Sequence, residues 1–146
     1  MKAKISAITY HLPEMMEGNE TLQRDNADWD MSKIVGKTGI VSRYISAEGE
    51  TAVDLAVDAG TKLLHNDSVN PEDINLLILV TQSPDYVLPT SACILQDRLG
   101  LTKNCMAFDI NLGCSGFVYA LSVAGALIET GVATKGIILC SDTYSK

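Results

Sequence analysis

The segment Phe108-Asp109-Ile110-Asn111-Leu112-Gly113-Cys114-Ser115-Gly116-Phe117 sets a cysteine among small residues, between an apolar run that reads as a strand and one that reads as a helix. Cys114 falls where the helix starts. Unpaired backbone N–H groups and the positive end of the helix dipole favour a thiolate there, and the thiolate is the nucleophilic form of cysteine. Gly113, Ser115 and Gly116 leave room for a carbonyl to approach, and first-turn N–H groups can hold the oxyanion that forms when the thiolate attacks it. This is the geometry of a strand-to-helix nucleophile turn. The same spacing also fits an inert thiol, because free cysteine is among the most buried residue types.

The other candidate groups carry less. Cys93, Cys105 and Cys140 form no CxxC and no metal-like pairing with His11 or His65, so no metal site is expected. Cys93 is expected on a helix facing the core, and Cys105 and Cys140 flank or end strands; all three read as structural. His11 follows a first extended run and His65 a helix end, which makes surface or capping roles the expectation. Reduced thiols and the lack of a secretory h-region or an 18-residue apolar run predict a cytoplasmic protein that does not cross a membrane.

The elements that must hold Cys114 follow from periodicity. Ile74–Thr81, Met106–Ile110 and Gly136–Cys140 are continuous apolar runs, as in strands covered on both faces. Helices are expected from about 51 to 64, 90 to 99 and 115 to 130, the last two stopping at Gly100 and Gly131. Ile5–Tyr10 predicts a first strand, Glu14–Asp30 a mixed polar stretch, and Lys37–Ser46 a turn and a short extended run. Asn19-Glu20-Thr21 reads as a helix start and Asn66-Asp67-Ser68 as a turn. The rhythm gives an α/β fold with a mostly parallel sheet sandwiched by helices. Phe117, Val118, Leu121, Val123, Leu127 and Ile128 leave the helix after Cys114 almost no polar face, so it should be buried all round. A chain of 146 residues can hardly enclose such a helix, and further chain or a partner subunit should cover it.

Eleven Lys and Arg against 18 Asp and Glu give a formal charge of −7, with no basic cluster. Nucleic acid is therefore an unfavourable partner.

Gly113-Cys114-Ser115-Gly116-Phe117 with Tyr119-Ala120-Leu121 resembles the nucleophile motif of the β-ketoacyl-acyl-carrier-protein synthase III family, of thiolase-like fold. Thr38-Gly39-Ile40 with Arg43, Ser91-Ala92-Cys93 with Gln96 and Leu99-Gly100, Ala107-Phe108-Asp109 and Ser141-Asp142 fall in that family's order across the chain. The resemblance implies that residues 1–146 are the N-terminal half of a condensing enzyme of fatty acid biosynthesis, truncated before a C-terminal half that supplies a His and an Asn. It implies a decarboxylating Claisen condensation: Cys114 takes an acyl group from acyl-CoA or acyl-ACP, and malonyl-ACP then attacks it. No cofactor is implied beyond these thioester substrates. A homodimer is implied, with Leu88 of Tyr86-Val87-Leu88-Pro89 reaching across to the partner's acyl pocket, although ordinary loop packing before Pro89 is the plainer expectation for that residue. Alone, the 146 residues should not complete the condensation.

Departures from the family pattern sharpen the substrate question. Lys33 and Lys37 stand where an adenine-stacking Trp and an Arg are usual, Trp29 lies further upstream, and Lys146 replaces a second stacking Arg. Point charges thus replace flat planes. CoA would then bind through its phosphates to Lys37 and Arg43, with Lys146 nearby in the family pattern, or the acyl group would arrive on a carrier protein. Gly113 replaces the usual Ala and should loosen the turn. Two other readings remain: a thiolase-fold acyltransferase of secondary metabolism, and a non-catalytic scaffold or pairing fragment.

Overall fold

A computed structural model describes residues 3–65 and 69–144, in two compact units: residues 12–50, and residues 3–11 with 51–144. The turn expected at Asn66-Asp67-Ser68 and the site residue Lys146 lie outside the described residues.

In the first unit β1 (Met15–Gly18) pairs antiparallel with β2 (Ser42–Ile45), which sets Glu17 opposite Arg43. Between them run α1 (Asn19–Asp25) and α2 (Met31–Thr38). Helix α1 does start at Asn19, whose side chain also donates to Ile40 O at 2.8 Å. Helix α2 ends on Gly39, left-handed at φ 73°, a conformation glycine adopts without a Cβ penalty.

The second unit holds the expected parallel sheet. Its elements are α3 (Ala52–Leu64), a 3₁₀ turn (Pro71–Asp73), β3 (Leu76–Val80), α4 (Ser91–Arg98), β4 (Met106–Ile110), α5 (Gly116–Glu129) and β5 (Gly136–Cys140). Strand β3 is central, in the order β4-β3-β5 with both pairings parallel. Side chains alternate along a strand, so β3 serves two cores at once. Leu77 and Leu79 pack with Val53, Ala56, Ala92 and Leu95 of α3 and α4, while Leu76, Ile78 and Val80 pack with Ala120 and Ala124 of α5. Full burial of each such Leu, Ile or Val side chain is worth about 1.5–3 kcal/mol. Helix α3 opens with a capping box: Thr51 Oγ1 accepts from Asp54 N, and the Asp54 carboxylate accepts from Thr51 N.

One expectation needs correction. Residues 5–10 form no strand: no described strand pairs with them, and Thr9 Oγ1 donates instead to Ala59 O in α3, with His11 beside Asp58 and Lys62 of the same helix. Helix α5 is not enclosed by this unit, in keeping with the expectation that 146 residues cannot cover so apolar a helix. Only Gly116, Ala120 and Ala124 are buried, one stripe at helical spacing, while Phe117, Val118, Tyr119 and Val123 remain exposed because nothing in this unit lies beyond them. No helix among the described residues is long and apolar enough to cross a membrane.

Candidate active site

Because β3, β4 and β5 run parallel, their carboxyl ends open onto one rim of the sheet, the usual place for a site in an open α/β sheet. Gln82 and Ser83 follow β3 there, Asn111 to Ser115 follow β4, and Ser141 and Asp142 follow β5.

Cys114 sits in the turn that joins β4 to α5. Gly116 N donates to Gly113 O at 2.8 Å, and regular helix begins two residues after the cysteine. The thiol side chain is exposed, which removes the inert buried reading. The N–H groups of Cys114 and Ser115 have no acceptor among the described residues, and both stay free to donate to an oxyanion. Gly116 fixes where the helix lies: a Cβ there would run into the side chain of Val80, so only glycine lets the first turn of α5 sit directly on β3.

Asp142 clamps the rim. Its Oδ1 accepts from Gln82 N at 2.6 Å, Thr81 Oγ1 at 3.1 Å and Ser83 Oγ at 3.3 Å, and Ser83 Oγ in turn accepts from Thr143 N at 3.0 Å. The loop after β3 is thereby tied to the chain after β5. Its side-chain consequence falls on the nucleophile turn: a Cβ at Gly113 would stand 2.6 Å from Gln82 Oε1 and 2.8 Å from Gln82 Cδ. The exposed Gln82 carboxamide lies where an alanine methyl at position 113 would stand, and this flexible side-chain end would have to shift to admit one. Sequence reasoning missed Gln82 because an exposed amide has no signature of its own. The glycine in an alanine position was the available signal.

On the opposite face of β4, Asp109 binds the start of α4, accepting from Ser91 N at 3.0 Å and Ala92 N at 2.7 Å. Buried Ser91 ties down the preceding loop, its Oγ accepting from Asp85 N at 3.0 Å. The tip of that loop is the reverse: Val87 is 90% and Leu88 89% exposed. Leu88 is therefore not packed against the described residues.

The remaining cysteines divide differently from expectation. Cys93 is exposed rather than facing the core, because Ala92 and Leu95 take the buried stripe of α4. Cys105 is buried and its thiol pKa is pushed up by desolvation; that of Cys140 is raised by desolvation and then by the nearby Asp142 charge.

The cationic candidates belong to the unit of residues 12–50. Lys37 is exposed in the last turn of α2, and Lys33 pairs with Asp30 at 3.0 Å. The hydrogen bond from Ser32 and then that from Lys33 hold the Asp30 carboxyl below its ordinary range. Arg43 is partly buried: its Nη2 donates to Asn19 Oδ1, and its Nη1 lies 3.9 Å from Glu17 without a hydrogen-bond acceptor. The structure thus brings together Cys114, Gln82 and Asp142, with Leu88 in the same unit, and places Lys37 and Arg43 in the other. No group of three or more His, Cys, Asp or Glu among the described residues could hold a metal ion.

A family model described as 3-oxoacyl-[acyl-carrier-protein] synthase III matches residues 108–146, the stretch that holds the nucleophile turn. A β-ketoacyl-[acyl-carrier-protein] synthase III of Clostridium perfringens is 42% identical over 99% of this chain and 44% of its own length. Over 99% of its length the chain aligns with members of the 3-oxoacyl-[acyl-carrier-protein] synthase III family. A family member from Neisseria gonorrhoeae is 38% identical over 99% of this chain and 45% of its own length. A crystal structure of a 3-oxoacyl-(acyl-carrier-protein) synthase III aligns with a TM-score of 0.93 at 50% identity, covering 99% of this chain and 43% of that one. The chain thus spans less than half the length of the relatives it matches, and its fold over that span is thiolase-like.

Proposed function

We propose that residues 1–146 are the nucleophile-bearing, N-terminal half of a 3-oxoacyl-ACP synthase III-type condensing enzyme. The exposed Cys114 on its strand-to-helix turn, seated by Gly116 on Val80, carries this reading. Cys114 Sγ attacks the thioester carbonyl of acyl-CoA or acyl-ACP; the new S–C bond forms, the donor C–S bond breaks, and the donor thiol leaves with a proton. Malonyl-ACP then loses CO₂, and its carbanion attacks the acyl group on Cys114 to release 3-oxoacyl-ACP. A His and an Asn from the C-terminal half assist decarboxylation, so these residues alone acylate but do not condense. No cofactor is required.

The exposed face of α5 at Phe117, Val118 and Tyr119 supports cover by that second half. The exposed Leu88 supports a homodimer in which the loop tip closes the partner's acyl pocket. Lys37, Arg43 and Lys146 offer positive charges to the donor's phosphates. Docking of an acidic carrier protein on a chain of charge −7 falls to a basic patch of the second half. Four free thiols fit a cytoplasmic compartment.

Radiolabelled acyl-CoA and acyl-ACP, offered to the native chain and to Cys114→Ala, test the proposal. Label that depends on Cys114 supports it and identifies the donor. Its absence with both donors overturns it.

A further inference from the structure

Gln82 lies at the nucleophile turn, its backbone held and its side chain exposed. Its backbone N–H is held by Asp142 at 2.6 Å, and its carboxamide lies against Gly113, one residue before Cys114. By chain geometry the carboxamide oxygen stands at most about 8 Å from Cys114 Cα. Neither Oε1 nor Nε2 makes a hydrogen bond within the described residues, so the group presents one acceptor and two donors outward. An alkyl chain laid on this amide would strip its water and give nothing back, whereas a hydroxyl could donate to its oxygen and accept from its nitrogen together.

We propose that Gln82 is a specificity-determining residue of the acyl site, and that it selects acyl thioesters bearing a hydroxyl on the third carbon. This rests on the reading of Cys114 as acyl acceptor. In this proposal the third carbon of the acyl group meets the Gln82 amide while the carbonyl meets the thiol. Gly113 belongs to the same device, because a methyl at that position displaces the carboxamide.

The test offers butanoyl-CoA and 3-hydroxybutanoyl-CoA separately to the full chain and follows acylation by intact mass, with Cys114→Ala as control. The native chain should be labelled about tenfold faster by the hydroxylated donor. Gln82→Met and Gln82→Leu should bring the two rates together, and Gly113→Ala should shift the ratio the same way. The ratio is internal to each preparation, so a partly folded variant still reports. Equal rates in the native chain, or a preference that survives in both Gln82 variants, would overturn the inference. Labelling by neither donor would instead overturn the reading of Cys114 and this inference with it.

Discussion

Asp109 Oδ1 accepts the N–H of Ala92 at 2.7 Å, so the strand that delivers Cys114 on one side also caps the helix that carries the Leu88 loop on the other. Asp109 has no freedom to do other chemistry while both its oxygens hold the start of α4.

Asp109→Ala should cost about 1–2 kcal/mol in urea denaturation, as expected for loss of a helix N-terminal acceptor. Asp109→Asn, which keeps one acceptor, should lose less. Equal stability of Asp109→Ala and the native chain would show that the contact contributes nothing.

Gly116→Ala should destabilise by about 1–3 kcal/mol, because the added methyl meets Val80 in a packed core. Val80→Ala in the same chain should recover part of that loss by making room. A double variant no better than the sum of the two singles would contradict the packing account.

The capping box gives a pH prediction. The backbone N–H of Thr51 is the largest influence holding the Asp54 carboxyl below its ordinary range, with the Arg98 guanidinium, 2.7 Å from Asp54, adding to it. A folded-state pKa below the unfolded value near ~3.9 stabilises the fold above that pH and is lost as pH falls through the folded value. Native and Asp54→Asn chains should therefore differ most near neutrality and converge in acid. A constant difference in denaturation midpoint from pH 7 to pH 3 would contradict this.

Thiol alkylation should order the cysteines. Exposed Cys93 and Cys114 react first, Cys140 lags and catches up as pH rises because its thiol is pushed up, and buried Cys105 reacts only on unfolding. Peptide mapping after timed iodoacetamide treatment reads this order, and early labelling of Cys105 would contradict it.

What the sequence made legible is what burial wrote into it. Strand β3 is apolar at every position because it serves two cores, and α3 announces itself through Val53, Ala56, Val57, Leu63 and Leu64 at helical spacing. Helix α1 showed only its start at Asn19 and α2 was hidden: α1 buries no residue, α2 buries only Met31, and neither has a side-chain cap. Residues 5–10 look like a strand by composition, yet a strand needs a ladder partner, which composition does not supply. Helix α5 was legible in a different sense, since its sequence already showed more apolar surface than this unit covers. Cys114 was visible through its small neighbours. Gln82 was not, because its relation to Gly113 is one of space.

The most direct measurement is the site of acyl attachment. The chain is incubated with an acyl thioester donor, digested, and mapped by mass spectrometry. Acylation confined to the peptide bearing Cys114, although Cys93 and Cys140 are also exposed, is the predicted result. Acyl groups spread evenly over the three exposed cysteines, or none on Cys114, would contradict the assignment of Cys114 as the nucleophile.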